Sequence, residues 1–179
     1  MSPDALTHVS IRCASADDAL RLSVLARDAF ISAFGPHNTP EDMAMYVAAS
    51  FGENVQRAEI EESRNTFLVA ERGDELIGYV MLREGAAPNA VPSRNALEIN
   101  RLYASHHEVG AGIGAALMQR SIAEAEIRGR DVIWLAVWEH NPRAIRFYER
   151  WGFEDVGTQE FTLGADRQTD RIMSRAVIR

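Results

Sequence analysis

From Val9 to Ala14 apolar and polar positions alternate, with Val9, Ile11 and Cys13 on one side, which predicts a short, half-buried strand. Ser15-Ala16-Asp17-Asp18 then reads as a capping box that opens a helix. Within that helix Leu22, Leu25, Ala26, Ala29, Phe30 and Ala33 fall at the i, i+3, i+4, i+7, i+8, i+11 positions of one apolar face. Gly35-Pro36 is expected to end it, the glycine at C′ and the proline unable to continue. Thr39-Pro40-Glu41-Asp42 starts a second helix, capped by Thr39 with proline in the first turn. The acidic segment from Glu53 to Glu62 predicts a further short helix.

The period then shortens. Thr66 to Glu71 (TFLVAE) and Leu76 to Arg83 (LIGYVMLR) read as two strands joined by a turn at Arg72-Gly73-Asp74-Glu75. Glu84 to Asn95, with two prolines and a glycine, predicts an exposed loop that marks no domain boundary. Leu97 to Ala104 is a fourth strand and Ile113 to Arg128 a helix. Val132 to Trp138 (VIWLAVW) is continuously apolar, as a central strand covered on both faces would be. Asn141-Pro142 caps a helix that stops at Gly152, and two strands follow, around Phe153 to Phe161 and Gln168 to Val177. Leaving aside the short acidic helix, the order β-α-α-β-β-β-α-β-α-β-β predicts one α/β domain over residues 1–179, with a mixed sheet covered by helices.

Composition narrows the function classes. With 179 residues and 46% hydrophobic content the chain can bury a core of its own. A net charge of −7 argues against a nucleic-acid backbone as partner and is compatible with a cationic one. The first residues, MSPDALTHVS, lack the basic start and apolar stretch of a signal peptide, and no apolar run approaches the ~18 residues of a membrane span. A cytoplasmic protein without a membrane partner is expected. The single cysteine, Cys13, excludes an intrachain disulfide and makes a thiol-ligated metal site untenable, so no metal is expected. Its strand position reads as a small buried hydrophobe rather than a nucleophile.

The chemistry concentrates in two places. The first is Gly110-Ala111-Gly112-Ile113-Gly114, between a strand and a helix. Glycines there let a ligand approach the backbone, and the free N–H groups and positive dipole end of the helix suit a pyrophosphate. A tight connection without ligand is one alternative. A dinucleotide site is another, because Gly110-x-Gly112-x-x-Ala115 fits that fingerprint and Glu139 ends the next strand. Against it, Ser105-His106-His107-Glu108 intervenes after the strand, and too few βα units follow. A P-loop is excluded, since no Lys-Ser/Thr follows the glycines.

The second is Asn141-Pro142-Arg143-Ala144-Ile145-Arg146-Phe147-Tyr148-Glu149-Arg150-Trp151-Gly152-Phe153. Most of it has a structural account: a cap at Asn141, core at Phe147 and Trp151, and a stop at Gly152. Taken together, a glycine loop opening a helix, an apolar strand, and then N-x-x-A-x-x-F-Y-x-x-x-G-F resemble the GCN5-related N-acetyltransferase (GNAT) family over essentially the whole chain. Glu98-Ile99-Asn100-Arg101-Leu102-Tyr103 looks like that family's fourth strand. Val109 departs from the Gln or Arg that the family's loop usually carries there. Phe161 to Asp170 and Asn38 to Met43 look in addition like bacterial spermidine/spermine acetyltransferases.

The resemblance implies a GNAT-like fold, a mixed and mostly antiparallel sheet of about seven strands flanked by helices. It implies acetyl-CoA as co-substrate and acetylation of a primary amine, a polyamine such as spermidine or spermine among the candidates. The main chain of Leu102, Tyr103 and Ala104 would hold the pantetheine arm. Val109, Gly110, Ala111, Gly112, Ile113 and Gly114 would hold the pyrophosphate, and Asn141 would contact the cofactor. Tyr148 would be the general acid for the leaving thiolate, since a phenol of pKa about 10 keeps its proton at neutral pH. Glu98 is the candidate base, through water; a strand-face carboxylate or salt bridge is the alternative. His106 and His107 could serve instead, or be solvated loop residues. The acidic cluster Glu53, Glu59, Glu61 and Glu62 either attracts a polycation or is a solvated helix face. A non-catalytic CoA-binding regulatory module and a protein N-terminal acetyltransferase are the other functions considered, and a homodimer is left open.

Overall fold

The computed structural model describes residues 9–177. Its elements, in chain order, are β1 (Val9–Cys13), α1 (Ala19–Phe34), α2 (Pro40–Ser50), α3 (Glu53–Glu61), β2 (Asn65–Arg72), β3 (Glu75–Glu84), β4 (Ala96–Ala104), α4 (Ile113–Ile127), β5 (Val132–Trp138), α5 (Pro142–Arg150), β6 (Glu154–Leu163) and β7 (Asp166–Ala176). The strands form one sheet in the order β1-β2-β3-β4-β5-β7-β6. Among the described residues only β4 and β5 pair in parallel; all other neighbours are antiparallel. The expected mixed, mostly antiparallel, seven-stranded sheet flanked by helices is present.

Strands covered on both faces should carry long apolar runs, with alternate residues feeding different cores. In β2, Leu68 and Ala70 join the core beneath α4 and α5, whereas Phe67 and Val69 join the core beneath α1 and α2. In β5, Ile133, Leu135 and Val137 take the α4/α5 side. Val132 and Trp134 turn the other way, into a smaller cluster with Val91, Ala96 and Ile172.

The caps follow the local chemistry. Thr39 Oγ1 accepts from the Asp42 N–H at 3.2 Å, with Pro40 as the first residue of α2. Asn141 Oδ1 accepts from the Ala144 N–H at 3.1 Å, and Gly152 closes the segment at φ +79°. Three expectations fail locally. Gly35 is right-handed (φ −53°), so α1 tightens into a 3-10 turn at Gly35–His37 instead of stopping at a left-handed glycine; Pro36, with φ preset near −65°, fits that turn. Ala33 is exposed, outside the buried stripe that Leu22 to Phe30 form. Cys13, the last residue of an edge strand, is exposed rather than buried.

Two long-range clamps set the position of the α1–α2 segment. Asp42 Oδ1 accepts from the Ala165 N–H at 2.7 Å, and Gln168 Nε2 donates to Asn38 Oδ1 at 2.6 Å. Gly164 lies so close that an added Cβ would stand 2.6 Å from the Asp42 Cα. The tip of the β6–β7 hairpin and the start of α2, far apart in the chain, therefore touch.

At the other end of α1, the buried Asp18 carboxylate receives Arg12 at 2.7 and 2.9 Å, Arg21 at 2.5 Å and the Ser15 N–H at 2.9 Å. The last of these is the return bond of the predicted capping box. Hydrogen bonding from Arg12, helped by Ser15 and Arg21 against the cost of burial, holds the Asp18 carboxyl far below the ordinary carboxylate range. A depressed folded-state pKa stabilises above the unfolded value and loses that contribution as pH falls toward the folded one. Asp18→Asn should therefore cost about 2–3 kcal/mol at neutral pH by urea denaturation, and the gap to the parent should shrink below about pH 4. An equal gap across that range would remove the charge from the explanation.

Candidate active site

β4 and β5 run side by side only over Ala96–Ile99 and Val132–Leu135. Beyond that point β4 stays with β3 as far as Ala104, and β5 stays with β7 as far as Trp138. The strands part. Among the described residues no strand pairs with the β5-facing edge of β4 from Asn100 to Ala104, and open strand edges are templates for an extended ligand.

A bulge sits at the vertex. The β3–β4 register skips Asn100, passing from Met81↔Arg101 to Leu82↔Ile99. A one-residue slip exchanges the faces of every following side chain. Leu97 and Ile99 pack toward α4 before the bulge, and Leu102 and Ala104 do so after it. Arg101 and Tyr103 turn toward α1 and α3: Arg101 pairs with Glu59 at 2.6 and 2.9 Å and lies over the Phe51 ring, and Tyr103 stacks on Tyr79 at 5.8 Å.

The glycine loop opens α4 beside this fork. Gly110 and Gly112 hold φ of +87° and +89°, a region that L side chains avoid. The helix's first turn closes with the Ala116 N–H on the Gly112 carbonyl at 3.0 Å. The N–H groups of Ile113, Gly114 and Ala115 thus have no partner within the helix, and its positive dipole end points into the loop. A bidentate pair, Arg72 to Glu108 at 2.7 and 3.0 Å, anchors the start of the loop, while Val109 is exposed. Gly114 stands where loop, β4 and α5 meet: a Cβ added there would lie 3.9 Å from Leu102 Cδ2 and 3.8 Å from Phe147 Cζ.

From α5, Tyr148 points into the same core between Phe147 and Phe153, at ring distances of 5.4 and 5.8 Å. Burial pushes its phenol up to about 12, so it is protonated at neutral pH. Burial likewise pushes the Tyr103 phenol well above the ordinary value.

Glu98 lies before the bulge, on the opposite side of the sheet from Tyr148. Its Oε1 accepts from Asn100 Nδ2 at 3.0 Å. With Arg64, Arg83 and Trp134 it lines a cavity of ≈ 480 Å³ beneath the 85–88 loop. No described cation bonds it, so of its two structural alternatives the strand-face carboxylate survives and the salt bridge does not. The rings of His106 and His107 lie 3.6 Å apart, tilted to each other, in an exposed turn. Three of the four acids in the Glu53–Glu62 cluster have arginine partners: Glu53 with Arg57, Glu59 with Arg101, and Glu62 with Arg64. Sequence reasoning passed over Asp170, a buried carboxylate in β7; its trace in the chain is an acid two residues before Ile172 on the face of the strand that is buried at both positions.

A profile of the Acetyltransferase (GNAT) family matches residues 27–153. The chain belongs to this family. GNAT relatives include an uncharacterized N-acetyltransferase of Lactobacillus delbrueckii subsp. lactis, 32% identical over 97% of this chain and 100% of that one. A second, from Mycobacterium bovis, is 32% identical over 90% and 99%. A probable spermine N(1)-acetyltransferase of Bacillus subtilis subsp. natto is 27% identical over 49% of this chain and 58% of its own. Among solved structures the fold matches the PaiA N-acetyltransferase of Thermoplasma acidophilum in complex with coenzyme A. That match has a TM-score of 0.78, 22% identity, and coverage of 95% and 99%. As a GNAT member the chain is an N-acetyltransferase that takes its acetyl group from acetyl-CoA. The dinucleotide alternative for the glycine loop falls, since a mostly antiparallel sheet cannot provide the doubly wound parallel frame that it needs.

Gly112→Ala forces a side chain into the left-handed region at about 1 kcal/mol of strain. It should weaken CoA binding about tenfold by calorimetry while leaving the circular dichroism spectrum unchanged. Unaltered affinity would separate the loop conformation from cofactor binding.

Proposed function

We propose that this GNAT enzyme acetylates a primary amine at the β4–β5 fork, with polyamine-type cations such as spermidine or spermine as the fitting acceptor class. The observation that carries the reading is convergence: an unpaired edge of β4 and a left-handed glycine loop with free helix N–H groups meet around Gly114, and α5, the helix that carries the buried protonated phenol of Tyr148, packs there through Phe147. When bound, acetyl-CoA supplies an activated acetyl thioester. The main chain of Leu102, Tyr103 and Ala104 holds its pantetheine arm as an added strand, and a β4 N–H polarises the acetyl carbonyl. Val109 to Gly114 bind the pyrophosphate at the α4 N-terminus. Asn141 has its Oδ1 committed to the cap and offers its amide nitrogen to the cofactor.

Tyr148 holds the proton that the departing thiolate takes. Its raised pKa keeps that proton in place until negative charge develops beside it. Glu98, reached through water in the cavity that it lines, accepts the proton of the amine. The polyamine assignment draws support from the partial likeness to the B. subtilis spermine acetyltransferase. It draws more from the contact between the Asn38–Met43 and Phe161–Asp170 segments, the two that resemble such enzymes.

Purified protein should release free CoA from acetyl-CoA when spermidine is added. Tyr148→Phe should lower kcat about 100-fold with acetyl-CoA affinity unchanged. An unchanged kcat removes Tyr148 from the chemistry. A panel in which N-terminal peptides outpace every polyamine would reassign the acceptor to protein N-termini.

A further inference from the structure

Asp170 is 8% exposed, and no described residue donates a hydrogen bond to its carboxylate or pairs with it. A buried carboxylate without a partner is costly, and such groups are found paired or at sites that recognise a cation. Its position is specific. In β7, Ile172 and Met173 enter opposite cores, so Asp170 shares the Ile172 side, which is the side of α1 and α2. Its cross-strand neighbours are Trp138 on β5 and Gln159 on β6. Trp138 ends β5 beyond the point where β4 departs, so Asp170 stands one strand spacing, about 4.8 Å, behind the free edge of the fork.

Aromatic rings stand around it. Trp138 contacts Phe34 at 6.0 Å and His37 at 5.4 Å, and Tyr46 meets Phe161 at 5.5 Å. Asp170 and Tyr46 are close enough for the acid to raise the phenol's pKa. The ionisable groups that surround Asp170 are Glu139 and His140 at the end of β5, His37 in the turn after α1, and Tyr46 on α2. The Arg101–Glu59 pair lies behind Tyr46. None is a cation bonded to it. Glu139 adds negative charge to that of Asp170. An acid with a second acid behind it and aromatic faces at its sides presents the chemistry that holds an ammonium group.

We propose that Asp170 is the acceptor-binding residue of this enzyme, holding an ammonium group of a cationic amine against the aromatic wall that Tyr46 and Trp138 help to form. The inference rests on the amine acetyltransferase reading above and adds the group that selects the acceptor. The Asp42–Ala165 and Asn38–Gln168 bonds fasten the wall to the same hairpin that carries Asp170, so acid and rings keep their relative positions.

The test compares the parent with Asp170→Asn on two acceptors, spermidine and aniline, the latter uncharged at neutral pH. Spermidine binding to the CoA-loaded protein is measured by calorimetry alongside. Asp170→Asn should raise the spermidine KM about 30-fold, change aniline turnover by less than about threefold, and leave acetyl-CoA affinity intact. Burial and the nearby Glu139 raise the Asp170 carboxyl to about 6. Below that pH it is neutral, so below about pH 6 kcat/KM for spermidine should fall more steeply in the parent than loss of free amine alone requires, and this extra steepening should be absent in Asp170→Asn. Equal spermidine KM in parent and variant, or an aniline loss as large as the spermidine loss, overturns the assignment. If the parent turns over no amine yet binds spermidine, with binding lost in the variant, the catalytic reading fails and the Asp170 site stands. If the parent does not bind spermidine, the site falls too.

Discussion

Main-chain N–H and C=O groups are costly to leave dry and unpaired. The parting of β4 from β5 after Ile99 and Leu135 creates a row of them at the centre of the sheet. Most of the site's arrangement follows from where that parting occurs. The bulge at Asn100 sits at the vertex and restores Leu102 and Ala104 to the α4 side, so the far half of β4 keeps a packed face while its edge stays open. The first turn of α4 settles against Leu102 and Phe147 at Gly114, which brings the dipole end of the helix to the same opening. Phe147 belongs to α5, the helix that also sets Tyr148 into the same core.

The fork also separates two electrostatic environments. On the α4/α5 side lie apolar core and a phenol that burial keeps protonated. On the α1/α2 side lie carboxylates: Glu98 in its cavity before the bulge, and Asp170 and Glu139 past the vertex. An acyl donor threaded through the opening would have a proton donor on one side and a cation-attracting surface on the other. Such an arrangement suits transfer to an amine, whose nitrogen must shed a proton while the leaving sulfur gains one.

Elements with strong local chemistry were legible in the chain. The Thr39-Pro40 and Asn141-Pro142 caps, the β5 run and the glycine loop lie where patterning puts them, because each depends on neighbours within a few residues. What was not legible depends on distant partners. The handedness of Gly35 is set by a 3-10 turn that continues through Pro36, and the exposure of Cys13 by its place at the end of an edge strand. Nothing in the sequence of the Glu53–Glu62 segment shows that Glu59 is taken by Arg101 from β4, since only the bulge turns Arg101 that way. Asp170 escaped notice for the same reason: an acid in a strand reads as surface until the opposing helices are placed over it.

Amide hydrogen exchange, followed residue by residue with and without CoA, tests most directly whether the open edge of β4 is the cofactor's seat. CoA should slow exchange at amides in 100–104 and in 111–115, the strand edge and the helix start together, while β1 and β6 at the sheet borders stay unchanged. Protection confined to other strands, or unaltered exchange in 100–104 at saturating CoA, would contradict the assignment of the fork as the binding site.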